Sequence, residues 1–168
     1  GINSITVNTA SATAFSLTTD DDFFADTGIS IIDFSADTNT TGTNVIDISN
    51  DDATTQAFTL TGGAGVDQIT GDGGGDTITG GAGADVIKGN GGLDVIALGT
   101  DSAADVVHLI ATTDGGSAGA DSTGDVITGF ESTSDKITLS GALAAALDDI
   151  TDNTALAFLT TGINDGNT

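Results

Sequence analysis

The sequence predicts an all-β chain whose short strands stack as a solenoid, with one short helix near the C-terminus. Three observations lead there. A nine-residue unit repeats four times without a break over 62–97. Outside it, strand-sized apolar or β-branched runs alternate with Thr/Asn/Asp/Gly loops and show no helical spacing. Proline is absent from all 168 residues, so nothing interrupts backbone ladders.

In chain order, 1–61 holds strand candidates ITV (5–7), AFSL (14–17), ISIIDF (29–34), NVIDIS (44–49) and AFTL (57–60). Within them IIDFS (31–35) and VIDIS (45–49) read as degenerate copies of each other. This part does not match the nonapeptide, and its reading as irregular solenoid turns rests on strand spacing. The array occupies 62–97. A β-rich capping segment, 98–168, follows with candidates DVVHLI (105–110), DVITGF (125–130) and DKITLS (135–140) and a loop at 112–124. ALAAALDDI (142–150) is the expected helix, since alanine and leucine favour that state, and LAFLT (156–160) is the last strand candidate.

Composition narrows the partners. Seven phenylalanines stand without tryptophan, tyrosine or methionine, so the expected core is narrow and lined by Ile, Val and Leu. There are 25 acidic residues against two lysines, a formal net charge of −23. All the acids but Glu131 are aspartates, which favour turns and metal-binding loops over helices. With no basic patch to neutralise phosphates, nucleic acid is excluded as a partner. High charge with few aromatics fits a disordered chain or one balanced by bound cations, and the strict period favours the second. The chain has no cysteine and hence no disulfide or thiolate site. No apolar run approaches a membrane span and no leader peptide is visible; the abrupt start at Gly1 and the stop at Thr168 in a polar run lead to the expectation of a segment of a longer protein.

The array reads GGAGVDQIT GDGGGDTIT GGAGADVIK GNGGLDVIA, or G-G-x-G-x-D-x-U-x with U large and apolar. The first slot is Gly62, Gly71, Gly80 and Gly89, and the fourth Gly65, Gly74, Gly83 and Gly92. The sixth is Asp67, Asp76, Asp85 and Asp94, and the eighth Ile69, Ile78, Ile87 and Ile96. Only the second slot varies, with Asp72 and Asn90 in place of glycine. Each unit divides into a glycine loop that exposes carbonyl oxygens and a three-residue strand. The aspartate adds a hard carboxylate oxygen at the loop's end. Carbonyl and carboxylate oxygens without nitrogen or sulfur are the donor set calcium prefers. A single isoleucine cannot bury itself, but stacked neighbours can bury each other's.

This array resembles the RTX (repeats-in-toxin) nonapeptide family. The resemblance implies a parallel β-roll in which two repeats make one 18-residue turn, with calcium between the loops of successive turns. On this chain it implies at least two full calcium sites, Asp67 with Asp85 and Asp76 with Asp94, completed by carbonyls around 62–65, 71–74, 80–83 and 89–92. Asp72 is expected to serve its turn rather than the metal. Beyond 97 the register breaks, because the next sixth slot is Ala103; Asp101 and Asp105 lie near enough to cap a half-site. The passage DVITGFESTSDKITLS (125–140) resembles one that follows such arrays in proteins exported by type I secretion.

Nothing points to catalysis. His108 is the only histidine and lies in a strand candidate. Ser102 and Asp105 precede it in sequence, but no G-x-S-x-G elbow or H-E-x-x-H pair is present. The expected role is therefore non-enzymatic: a calcium-binding structural module, secreted or on the bacterial cell surface, that folds on calcium after secretion. A subunit of a self-assembling surface layer (S-layer), partnered by itself or other surface components, is preferred. The alternative is the accessory calcium and secretion domain of an exoenzyme, toxin or adhesin.

Overall fold

The computed structural model describes residues 3–7, 14–19, 24, 28–50, 56–109 and 124–139. The expected helix at 142–150, the strand candidate at 156–160 and nearly all of the 112–124 loop lie outside the described residues. Twelve strands run among the described residues: β1 (Ser4–Thr6), β2 (Ser16–Thr18), β3 (Ile31–Asp33), β4 (Thr43–Asp47), β5 (Thr59–Thr61), β6 (Val66–Thr70), β7 (Thr77–Thr79), β8 (Val86–Lys88), β9 (Val95–Ala97), β10 (Val106–Leu109), β11 (Val126–Thr128) and β12 (Lys136–Leu139).

Consecutive strands never pair. The odd strands form one parallel sheet in the order β1-β3-β5-β7-β9-β11, and the even strands form another, β2-β4-β6-β8-β10-β12. Each pair of consecutive strands is one turn of a parallel β-roll, and each turn rests on the next. Strands β1 to β5, which lack the nonapeptide, belong to the same two sheets as the array. The copies IIDFS and VIDIS supply β3 and β4, at matching places in opposite sheets.

Alternation sets the core. The middle residue of each short strand points between the sheets. Ile32, Leu60, Ile78, Ile96 and Ile127 come from the odd sheet, and Ile46, Ile69, Ile87 and Val107 from the even sheet, all buried. The expected Ile/Val/Leu lining is present, with an addition at the N-terminal turns. There Phe24, Phe34 and Phe58 are buried as well, and the Phe24 and Phe58 rings lie 4.7 Å apart at 58°. Outward positions of the odd sheet are β-branched and partly apolar, with Ile31, Val95 and Val126 exposed.

The turns differ in length. Within the array the paired residues Thr59, Thr77 and Val95 are 18 apart, as are Gln68 and Val86. From Val86 to Val106 the step is 20 residues, from Val106 to Lys136 it is 30, and from Val95 to Val126 it is 31. All the extra residues fall between strands, so register along each sheet survives.

Candidate metal centre

In the even strands β4 to β12 the residue before the central pair carries the chemistry. Asn44, Asp67, Asp85, Asp105 and Asp135 precede Val45, Gln68, Val86, Val106 and Lys136, which are in register from strand to strand. They form one column along one edge of the roll. Asp76, Asp94 and Asp125 precede Thr77, Val95 and Val126 and form a second column along the odd sheet. Sequence reasoning paired Asp67 with Asp85 and Asp76 with Asp94, and these pairs are successive members of the two columns.

Each carboxylate ties one turn to the turn before. The Asp67 amide donates to Asp85 Oδ1 (2.9 Å), the Asp85 amide to Asp105 Oδ1 (2.8 Å) and the Asp105 amide to Asp135 Oδ1 (3.0 Å). In the second column the Phe58 amide donates to Asp76 Oδ1 (2.9 Å), the Asp76 amide to Asp94 Oδ1 (2.8 Å) and the Asp94 amide to Asp125 Oδ1 (2.9 Å). Oδ1 of Asp76, Asp85, Asp94, Asp105, Asp125 and Asp135 therefore serves the backbone, whereas that of Asp67 accepts the Asn44 side-chain amide. The second oxygen faces its own loop: the Gly63 amide donates to Asp67 Oδ2 (2.8 Å) and the Glu131 amide to Asp135 Oδ2 (2.7 Å). Asp85 differs from Asp67, Asp76 and Asp135 in this respect. Its Oδ2 is buried and has no hydrogen-bond partner, and the residue is fully buried. Gly81, four residues before it, takes φ +118°, unlike Gly63 at the matching place before Asp67.

The first-slot glycines lie against these second oxygens. A Cβ on Gly80 would come 2.5 Å from Asp85 Oδ2 and 3.0 Å from the Leu98 carbonyl of the next turn. On Gly62 it would meet Asp67 Oδ2 at 2.6 Å and the Gly80 carbonyl, and on Gly71 the Gly89 carbonyl at 2.6 Å and the Asp76 carboxylate. On Gly89 it would strike the Asp94 carboxylate. Each cradle is thus bounded by a carboxylate, a glycine Cα and, at three of the four, a carbonyl from the turn above. In the fourth slot Gly65, Gly83 and Gly92 have φ between +101° and +115°, and Gly83 and Gly92 stack on Gly65 and Gly74. Gly74 lies against the Gln56 carbonyl, with no room for a side chain.

Some loop carbonyls hold the stack together directly. The Ala82 amide donates to the Gly63 carbonyl (3.0 Å), the Gly65 amide to the Ala82 carbonyl (2.6 Å), and Asn90 Nδ2 to the Gly71 carbonyl (2.6 Å). Asn90 takes φ +71°. Asp72 Oδ1 accepts the Gly74 amide at 2.9 Å and closes its own turn. Asp101 does two jobs, its Oδ1 accepting the Ala103 amide (2.9 Å) and its Oδ2 the Gly83 amide of the turn before. His108 lies half-buried on β10, while Asp105 is engaged in the column by the Asp85 amide.

Burial of so many carboxylates has an electrostatic consequence. Burial, opposed in part by the backbone donors and reinforced by Asp72 and Asp94, pushes Asp76 up to about 7. Asp85 is likewise pushed up to about 7, by burial first and then by Asp67, Asp105 and Asp101. Asp67 and Asp105 are raised for the same leading reason. Strands in a sheet are ~4.8 Å apart. Two charges at that spacing repel by roughly 3–4 kcal/mol at an effective dielectric near 20.

Among the described residues no three carboxylate or imidazole side chains converge as a metal-binding group. What the gaps between Asp67 and Asp85 and between Asp76 and Asp94 offer instead is two carboxylates with backbone carbonyls of the first-slot loops beside them. Asp125, Asp135 and Asn44 are not among the residues expected from the sequence, because they lie outside the nine-residue period. The signal present at all of them is shorter: Asp (or Asn), any residue, then a large apolar one, as in Asn44-Val45-Ile46, Asp125-Val126-Ile127 and Asp135-Lys136-Ile137.

No protein-family model, no curated protein and no solved structure matches the chain.

Proposed function

We propose that this chain is an extracellular calcium-binding structural module that folds on binding calcium after export and forms part of a self-assembling bacterial surface layer. The observation that carries the reading is Asp85 Oδ2, a fully buried carboxylate oxygen with no donor in a column of like charges. An unpaired buried charge is costly. A cation in the gap offsets that cost, and a carbonyl-rich, irregular oxygen shell suits calcium better than magnesium, which demands near-octahedral geometry and retains its waters.

Asp67 and Asp85, and Asp76 and Asp94, are the residues that would hold the ions, with carbonyls of the first-slot loops beside them. The bound ion supplies positive charge between two turns. Because only the folded stack brings the carboxylates together, metal binding free energy becomes folding free energy. Extracellular calcium modules commonly bind at ~10⁻⁴–10⁻³ M, a range that leaves the chain loose inside a cell and folded outside. The resemblance of 62–97 to RTX arrays, and of 125–140 to the passage that follows them, supports the same reading.

The test is a calcium titration followed by far-UV circular dichroism and light scattering, with magnesium as control. A calcium-specific rise in β-signal with rising scattering is expected. The rise without scattering moves the chain to the accessory domain of an exoenzyme, toxin or adhesin, and no calcium response rejects the metal assignment. Asp85→Asn sharpens the result. It keeps an acceptor for the Asp67 amide but removes the charge, so calcium affinity should fall at least tenfold. An unchanged affinity means the ion is not held there.

A further inference from the structure

The even-strand column has one member that is not an acid. Asn44 occupies the place before β4 that Asp67, Asp85, Asp105 and Asp135 occupy before the later strands, and it is paired in register with Asp67. Its Oδ1 does what those of Asp85, Asp105 and Asp135 do: it accepts a backbone amide from the preceding turn, that of Phe15, at 3.0 Å. The difference lies in the second atom. Where the aspartates carry Oδ2, Asn44 carries Nδ2, which donates to Asp67 Oδ1 at 2.8 Å and to Asp37 Oδ2 at 3.1 Å. Both amide protons are used, each on a different carboxylate. Asn44, Asp37 and Asp67 are 3%, 1% and 1% exposed, so water does not share the work. The reversed amide orientation is excluded, since it would set Nδ2 against the Phe15 amide and an oxygen against two carboxylates.

We propose that the Asn44 carboxamide is a built-in substitute for a cation. It bridges two buried carboxylates at the first step of the column, so the turn below Asp67 assembles without metal and the metal-dependent steps begin between Asp67 and Asp85. One step later nothing fills the corresponding role, and Asp85 Oδ2 is left without a donor. The inference deepens the calcium reading, because it says where along the column ions are needed and where they are not.

The experiment compares wild-type chain with Asn44→Asp, each titrated with calcium chloride in metal-free buffer. Bound ions are counted by calorimetry and folding is followed by circular dichroism. Asn44→Asp replaces the donor with a third buried carboxylate beside Asp37 and Asp67. It should lose β-structure in chelator, regain it with calcium, and bind one more ion per chain than the wild type. A variant with no calcium response, or with the wild-type ion count, overturns the proposal. A wild-type chain without calcium response, beside a variant that has acquired one, rejects the functional reading and leaves this inference standing. A second measurement does not depend on the variant folding. In the wild type under chelator, the Phe15 amide and the Asn44 side-chain amide should exchange with solvent slowly, and the Asp85 amide fast. Fast exchange at Phe15 and Asn44 overturns the proposal.

Discussion

A methyl group on Gly80 has nowhere to go: its position is taken by Asp85 Oδ2 on one side and the Leu98 carbonyl on the other. Asp85 is fully buried and held by the Asp67 amide, and the Leu98 carbonyl is backbone, so neither gives way easily; Gly80→Ala is expected to cost about 1–3 kcal/mol and to close the cradle where an ion would lie. Gly91→Ala is the control. Its Cβ would meet only the Gly73 backbone, at 3.7 Å and beyond, which is ordinary contact. Urea melts in calcium should separate the two variants, with Gly91→Ala within about 0.5 kcal/mol of the parent; equal losses would show that packing around the first slot does not decide the matter. The glycines and aspartates of the array were legible because four copies display them side by side. Asn44 was not, because its role depends on Asp37 and Asp67, which lie 7 and 23 residues away.

Each element is too short to stand alone. A three-residue strand buries one side chain, and its partners are the equivalent side chains above, below and across. Ile78 is fully buried in the centre of β7, and Ile78→Ala is expected to cost about 2–4 kcal/mol. Leu93, just before β9, is 51% exposed, and Leu93→Ser should change stability by less than about 0.5 kcal/mol. Thermal melts check both; a small effect at Ile78 would mean that the core is loosely packed. The strands themselves were readable from apolar runs, including β1 to β5 and β10 to β12. Their partners were harder. A fixed period sees a neighbour 18 residues away and misses one 30 or 31 away, and that is why Asp125 and Asp135 are not among the expected ligands while Asp85 and Asp94 are.

At the scale of the whole molecule, charge and stacking oppose each other. Asp76 and Asp85 bind protons near pH 7 in the folded chain, against 3.8 as their ordinary value. A folded-state value above the unfolded one favours folding fully below the unfolded value, and that contribution is lost as pH rises through the folded value. Without divalent metal, stability should therefore decline from about pH 4 to above pH 7. A melt in chelator is expected at a higher temperature at pH 5 than at pH 8. With calcium the gap should shrink, because the ion and the proton compete for the same oxygens. Identical melting temperatures at the two pH values in chelator would show that the columns are neutralised some other way. Because every turn touches only its neighbours, the stack behaves as a one-dimensional chain of units, and loss of one inner ion should weaken two adjacent turns rather than one local site.

The unequal turns carry a further consequence. Successive strands of one sheet are joined by as few as 18 and as many as 31 residues, yet they meet in the same alignment. Three residues, an acid or amide followed by an outward and an inward side chain, are enough to seat a strand. The residues added between such seats in the longer turns leave the register unchanged. A lineage can lengthen a corner, decorate it or graft an unrelated peptide onto it without renegotiating the stack, so the same spine can display many different surfaces.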